Sequence, residues 1–107
     1  FDGCLVTYPF DEWQEVERKV RELPTGQRDV RTFIRLFYAN AADCSVDRQG
    51  RILIPENLRK GAGLEKEVVM VGAGPKFEIW SRERWDRLAD AAQDRLVDIA
   101  EASGIGL

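Results

Sequence analysis

The stretch Asp47–Lys60, DRQGRILIPENLRK, consists of three short parts of different composition. It opens with charged residues around Gly50, continues through a run of aliphatic residues, and closes with two cations after Pro55. Gly50 lies where a tight turn requires a positive φ angle, which glycine adopts without steric cost. Proline fits the first turn of a helix, because the amide that it lacks would have no helical partner there. The stretch therefore predicts a turn, a strand and a helix start in close succession.

Two short strands are predicted to flank this turn, at 43–46 and 51–54, with the turn itself at Arg48–Gly50. The second strand is an aliphatic run, which is typical of a strand that is buried on both faces. Asp47 is placed to accept hydrogen bonds from the turn amides or to pair with Arg51. These features together predict a β-hairpin whose loop carries charged side chains.

Positive charge exceeds negative charge in this stretch, although the whole chain carries a net charge of −3 at pH 7. Arginine binds phosphate groups or guanine edges through its planar fork, so a phosphate- and base-contacting surface is one interpretation. The other is a solvated turn in which an Asp–Arg pair fixes the hairpin, and the residues alone favour it because exposed charges contribute little individually. The candidate DNA-contacting residues are Arg48, Arg51, Arg59 and Lys60.

Composition restricts the classes of protein to which the chain can belong. Its 107 residues, 44% hydrophobic and 33% charged, indicate a soluble globular protein of one domain or two very small ones. The absence of histidine excludes imidazole bases and Ser-His-Asp triads, so we expect no enzyme and no cofactor. Cys4 and Cys44 lack metal-ligand spacing, and we expect two buried, reduced thiols and no metal site. Gly72–Gly74 lacks the spacing of a phosphate-binding loop and is predicted to be a turn.

An internal repeat links the two ends of the chain. At an offset of 72 residues, Leu5 corresponds to Phe77, and Trp13 to Trp85. Each copy predicts a short strand that ends in an aromatic residue and a helix with acidic residues in its first turn, where they favour the helix dipole. Core packing is the favoured role of these aromatic residues over stacking on nucleobases: Tyr8, Trp13, Trp80 and Trp85.

Hydrophobic spacing predicts the remaining elements. Helices are expected over 10–22, 28–40 and 82–101, a short helix from Pro55 that ends at Gly61 and Gly63, strands at 68–71 and 77–80, and a hairpin turn at 72–75. The apolar stripe of the last helix is predicted to consist of Trp85, Leu88, Ala92, Leu96 and Ile99, and to pack either on the rest of the chain or against a neighbouring subunit. A solvated basic face is favoured for Arg28, Arg31 and Arg35. The tail Ser103–Leu107 is expected to be frayed.

The pattern of Asp47, Gly50-Arg51, Ile54-Pro55 and Leu58-Arg59 resembles the swapped-hairpin DNA-binding motif of the AbrB superfamily. The rest of the chain is similar to one branch of that superfamily, the MraZ family. Further matching segments, which extend the resemblance to about Leu88, are Phe1–Leu5 with Tyr8-Pro9 and Trp13, Arg35–Phe37 before Ala41-Ala42, Gly63–Val68, and Phe77–Trp80 through Trp85.

This resemblance implies an α+β fold: a small β-barrel of two pseudo-repeated AbrB-like halves with flanking helices. Residues 1–40 would form the remainder of the first half, and residues 41–107 the second half with its C-terminal helix. Family members carry the Asp-Arg motif once in each half, whereas this chain carries it once in all. We therefore expect the first copy to lie upstream of Phe1, which would leave the first half incomplete and some strand edges without a partner.

The resemblance also implies a function. The chain would be a bacterial, cytoplasmic and nucleoid-associated transcriptional regulator that assembles into rings. It would bind short direct repeats in double-stranded promoter DNA upstream of the division and cell-wall gene cluster, and typically repress it. The expected partners are thus DNA and further copies of the chain, with no membrane and no small-molecule substrate. The alternative is an assembly or protein-interaction module without direct DNA contact.

Overall fold

The structure, a computed structural model, describes residues 2–105. Its described part is an α+β fold that contains a three-stranded antiparallel sheet and five helices, as the sequence predicts in outline. The elements, in chain order, are β1 (Leu5–Thr7), α1 (Phe10–Arg21), α2 (Arg28–Ala39), α3 (Glu56–Gly61), β2 (Val68–Ala73), β3 (Lys76–Ser81), α4 (Arg82–Gln93) and α5 (Leu96–Ala102).

Strand β3 lies in the middle of the sheet, between β1 and β2. β2 and β3 form a hairpin in which Val68 pairs with Ser81 and Ala73 with Lys76. The predicted hairpin is confirmed, but its turn is tighter than the predicted range 72–75, because pairing continues to Ala73. Gly74 alone supplies the positive φ angle that the turn needs, at 74°.

The register in which β1 pairs with β3 can be compared with the internal repeat of the sequence. Leu5 pairs with Ile79 and Thr7 with Phe77, while Val6 pairs with Glu78. Under the 72-residue offset, from Leu5 to Phe77, the copy of Leu5 is Phe77 and the copy of Thr7 is Ile79. A two-fold axis between Val6 and Glu78 would therefore exchange each pair with its copy. In addition, each of these strands is followed by a helix of 12 residues.

An aromatic cluster joins the first strand to helices α1 and α2. The rings of Trp13 and Phe37 stack with centroids 5.2 Å apart, and Tyr8 lies 5.8 Å from Trp13. Phe33 stacks on Phe37, one turn away on the same helix, at 5.9 Å. Aromatic pairs at such distances stabilise a fold beyond their buried area. The predicted packing role of Tyr8 and Trp13 is thus confirmed.

Three of the six buried residues of the described chain lie on β3. Ile79 and Trp80 are 5% and 4% exposed, and the ring of Trp80 meets that of Trp85 edge to face at 5.9 Å. Ser81, which is also buried, accepts a hydrogen bond from the amide of Arg84 at 3.1 Å and so caps α4. The remaining buried apolar residues of the described chain are Val20, Ala62 and Ala100.

The predicted strands at 43–46 and 51–54 are wrong, because both segments are irregular in the structure. A strand needs a partner for its backbone groups, and the sheet of the described chain offers these segments none. The predicted burial of 51–54 on both faces is also wrong, since Leu53 is 82% exposed while Ile52 and Ile54 are half-buried. The turn between the segments nevertheless forms.

The long helix predicted over 82–101 is two helices, α4 and α5, which are separated at Asp94-Arg95. The predicted apolar stripe is only partly inside, since Leu88, Leu96 and Ile99 are about half exposed. After α5 the chain is closed by hydrogen bonds from the amides of Ser103, Gly104 and Ile105 to carbonyls of that helix, so the predicted fraying is wrong for these residues. Residues 106 and 107 of the tail lie outside the described residues.

The fold is more open than an ordinary compact domain. The radius of gyration is 16.4 Å, whereas a compact chain of this length would have one of about 13 Å. Several apolar side chains also remain in contact with solvent.

Cys4 and Cys44 are free thiols, but both are half-buried rather than buried as predicted. Burial, followed by the charge of Glu78, raises the pKa of the Cys4 thiol.

Because Trp80 is the least exposed aromatic residue of the core, its truncation should be costly. We expect Trp80→Ala to lower the free energy of unfolding by about 3–5 kcal/mol, through lost burial and the cavity that remains. Gln14→Ala, at an exposed position of α1, should change it by less than about 0.5 kcal/mol. Urea titration followed by circular dichroism measures both, and equal effects would contradict the assigned core.

Candidate nucleic-acid interface

The loop at the start of the stretch is organised by one carboxylate. Oδ1 of Asp47 accepts hydrogen bonds from the amides of Gln49 at 2.9 Å and Arg51 at 2.8 Å. The backbone closes the same loop, because the Asp47 amide donates to the Arg51 carbonyl at 2.8 Å. Gly50 has a φ angle of 79°, as predicted, so a side chain there would be strained. The predicted turn is confirmed, and its backbone amides are hydrogen-bonded to the side chain of Asp47 at its start.

Arg51 extends from this loop into solvent. Its Nε donates to Oδ2 of Asp47 at 3.1 Å, while the side chain is 72% exposed. The predicted pairing of Asp47 with Arg51 is therefore confirmed. The hydrogen bond from the Arg51 amide is the largest cause that lowers the pKa of Asp47. Since Nε binds the carboxylate, both terminal nitrogens of the guanidinium stay available for an external acceptor.

The other candidate cations lie on the same continuous segment. Arg59 and Lys60 are in the last turn of α3, where Pro55 precedes the helix with a φ angle of −56°. Nζ of Lys60 pairs with Oε1 of Glu56 at 3.0 Å, with both side chains largely exposed. Arg48 and Arg59 are exposed and make no ion pair with any residue between 2 and 105.

The structure brings these side chains to the surface but does not bind them into one cluster. The ion pairs and side-chain hydrogen bonds of the described chain connect Arg51 to Asp47 and Lys60 to Glu56, and none connects the loop to α3. The surface is therefore a set of separate, exposed cations on a fixed loop and a short helix. Such a surface suits a polyanion with spaced charges better than a small ligand that must be enclosed.

The basic face predicted on α2 is only partly free. Arg28 and Arg35 are exposed, whereas Nη1 of Arg31 donates to the carbonyl of Thr25 at 2.9 Å and ties the helix to the preceding loop. This hydrogen bond satisfies a carbonyl near the start of α2. The arrangement agrees with a mainly structural, solvated face.

Arg84 is a residue that sequence reasoning missed. Its Nη1 donates to the carbonyl of Gly3 at 2.8 Å and to that of Gly61 at 3.2 Å, across three distant parts of the chain. The only signal in the sequence is the presence of glycines at the contact points, and the hydrophobic pattern of α4 gives none.

The described residues offer little to a metal or a membrane. No group of three potential metal-binding side chains exists among residues 2–105. Within the same residues, no helix is both long and apolar enough to cross a lipid bilayer. An open depression of about 550 Å³ lies between Gly3, Trp80 and Arg84, and its lining shows no group arranged for catalysis.

The lowered pKa of Asp47 gives the loop a pH dependence. The ionised carboxylate stabilises the loop above its unfolded pKa of about 4, and this contribution is lost as the pH falls through the lower folded value. We expect the amide resonances of Gln49 and Arg51 to shift with a midpoint below pH 4. Asp47→Asn should remove this transition, and a midpoint at or above about 4 would contradict the geometry.

Comparison with known proteins shows the family to which the chain is similar. Residues 37–103 match the family model described as "MraZ protein, putative antitoxin-like". Proteins named transcriptional regulator MraZ from Heliobacterium modesticaldum and Desulforamulus reducens are each 49% identical to the chain, and one from Ligilactobacillus salivarius is 48% identical. Each alignment covers 94% of this chain and 70% of the relative. These are names of regulators and not of enzymes. The chain belongs to the MraZ family of transcriptional regulators.

Proposed function

We propose that this regulator acts by binding double-stranded DNA through the segment Asp47–Lys60. The observation that carries the proposal is the geometry of Arg51, which Asp47 holds at 3.1 Å on a fixed loop while 72% of the side chain faces solvent. Arginine in such a position can donate two hydrogen bonds to a phosphate or to a guanine edge. Arg48, Arg59 and Lys60 supply further exposed positive charge on the same segment.

Exposure of the four cations argues for a contact that is electrostatic and weak at each single site. The chain as a whole is acidic, with a net charge of −3, so general attraction to DNA does not assist. Several copies of the chain on several DNA sites would raise the apparent affinity through effective concentration, without any new contact. We therefore propose a ring-shaped homo-oligomer that binds repeated promoter elements.

The biological target of this proposal follows from the family resemblance. The direct repeats would lie upstream of the division and cell-wall gene cluster, whose transcription the protein would repress. A regulator of this kind acts in the cytoplasm, in association with the nucleoid. The relatives' shared name, transcriptional regulator, supports this role at the level of transcription.

The proposed internal architecture consists of two AbrB-like halves, residues 1–40 and residues 41–107, that contribute to one barrel. The pairing of β1 with β3 supports this division, because its register is the one that a two-fold axis between the halves would generate. The segment 51–54 supports it too, since it has the aliphatic composition of a strand and lacks a strand partner in the described sheet. A second hairpin would supply that partner in a closed barrel.

A second candidate is an assembly module that contacts other proteins rather than DNA. Exposed apolar side chains favour it: Leu53 is 82% exposed, Met70 64% and Val97 65%. Such side chains mark interaction surfaces when they form patches. The two functions are compatible if assembly occurs through these residues and DNA binding through the cations.

The DNA-binding proposal is tested with Arg51→Ala in a gel-shift titration on the promoter region that precedes the division and cell-wall genes. We expect weaker binding and a slope of log affinity against log salt that is less steep by about 0.9 for each site occupied. Arg21→Ala is the matched control, because Arg21 is also exposed, at 67%, and also lies four residues from its carboxylate partner. Equal binding by parent and Arg51→Ala would remove Arg51 from the interface.

The ring is tested by light scattering on the purified protein. We expect a mass several times that of the 12.2 kDa chain, and a Leu53→Glu variant should reduce it if the exposed apolar residues form the contacts. A strictly monomeric protein at concentrations that saturate the promoter DNA would contradict the argument from multiple sites.

A further inference from the structure

We propose that Arg84 is a positioning residue of the DNA interface: it fixes the C-terminal end of α3 and thereby the side chains of Arg59 and Lys60. This inference rests on the proposed DNA-binding function. Its basis is the pair of hydrogen bonds from Nη1, to the Gly61 carbonyl at 3.2 Å and to the Gly3 carbonyl at 2.8 Å. One guanidinium thus joins α4, the end of α3 and the turn before β1.

The other arginines of α4 behave differently. Arg82 pairs with Asp86 at 3.4 Å and Arg87 with Glu83 at 3.8 Å, each one turn away on the same helix. Arg84 pairs with no carboxylate within residues 2–105 and binds backbone carbonyls instead. Hydrogen bonds from a charged donor are stronger than neutral ones, and these two connect segments that are far apart in sequence.

Two glycines permit this close approach. A Cβ atom on Gly3 or on Gly63 would lie 3.1 Å from the nearest guanidinium atom of Arg84. Both glycines also have positive φ angles, of 83° and 65°, which other residues rarely adopt. The cleft between the turn and the end of α3 is therefore filled by the guanidinium.

Electrostatics at the end of α3 favour a cation. The last carbonyls of a helix have no helical partner and carry partial negative charge, which the guanidinium neutralises. The chain then folds back at once, because the Leu64 amide donates to the Arg59 carbonyl at 2.8 Å and Ala62 is buried at 2% exposure. Arg59 thus takes part in the same closed turn that Arg84 anchors.

The anchor itself lies on a fixed part of the fold. The Arg84 amide donates to Oγ of Ser81, which is 5% exposed and follows the buried Trp80 directly. Movement of the guanidinium would therefore require movement of the helix start or a change of rotamer. The position of the last turn of α3, which carries Arg59 and Lys60, is consequently fixed relative to the central strand of the sheet.

Hydrogen exchange tests the structural step without DNA. We expect Arg84→Gln to make the amides of Ala62, Gly63 and Leu64 exchange about tenfold faster. Arg87→Gln, the matched control, removes the same charge from the exposed face of α4 and should leave them unchanged. The amides of Ile79 and Trp80 report global stability. Acceleration confined to the three amides supports the proposal, whereas unchanged exchange, or equal acceleration of all five, overturns it.

A double-mutant cycle tests the functional step. We expect Arg84→Gln to weaken DNA binding about threefold or more in the parent, and to have no further effect in a chain that carries Arg59→Ala and Lys60→Ala. Additive losses would overturn positioning in favour of direct contact by Arg84. Arg84→Lys, which keeps the charge, should restore part of the affinity and part of the exchange protection. If the parent itself does not bind DNA, the proposed function fails, while the exchange experiment still decides whether Arg84 fixes α3.

Discussion

The pairing of β3 with two strands at once is the constraint on which the described structure depends. β3 receives β1 from the start of the chain on one edge and β2 from the middle on the other. It contains three of the six buried residues of the described chain, Ile79, Trp80 and Ser81, and Ser81 also caps α4. The contact that Arg84 makes with Gly3 starts from α4, the helix that Ser81 caps.

This arrangement explains how a structure with an exposed, irregular segment can still present side chains at defined places. The segment between α2 and β2 contributes little to the core before α3, since Leu53 and Val46 are exposed. Its loop is ordered locally by Asp47, and its short helix is held at the far end by Arg84. Order is thus supplied at two points, by a carboxylate that binds amides and by a guanidinium that binds carbonyls.

Much of the fold was predictable because its signals are local. Helical spacing of Val30, Phe33 and Phe37 identified α2, and a glycine-containing break between aliphatic and aromatic runs identified the β2–β3 hairpin. The strands predicted at 43–46 and 51–54 failed because strand formation depends on a partner, which local composition does not reveal. The prediction of one continuous helix over 82–101 also failed. No proline or glycine in the sequence marks the break at Asp94-Arg95.

In the candidate site, too, the local contacts were predictable and the long-range contacts were not. The Asp47–Arg51 pair was predictable, since both residues belong to one tight turn and the glycine between them marks its geometry. The contacts of Arg84 were not predictable, because its partners Gly3 and Gly61 lie 81 and 23 residues away. The accepting groups are also backbone carbonyls, which every residue has and which therefore leave no signal in the sequence.

The outer edge of β2 leaves backbone groups ready to pair with any extended chain that approaches. Val68 and Met70 stand exposed along that strand, and an apolar strand of this kind is a common starting point for aggregation. Immediately before it lie Glu65, Lys66 and Glu67, all exposed. Charged residues that flank an apolar edge strand disfavour the stacking of identical strands, so neutralising these three would favour self-association along this edge.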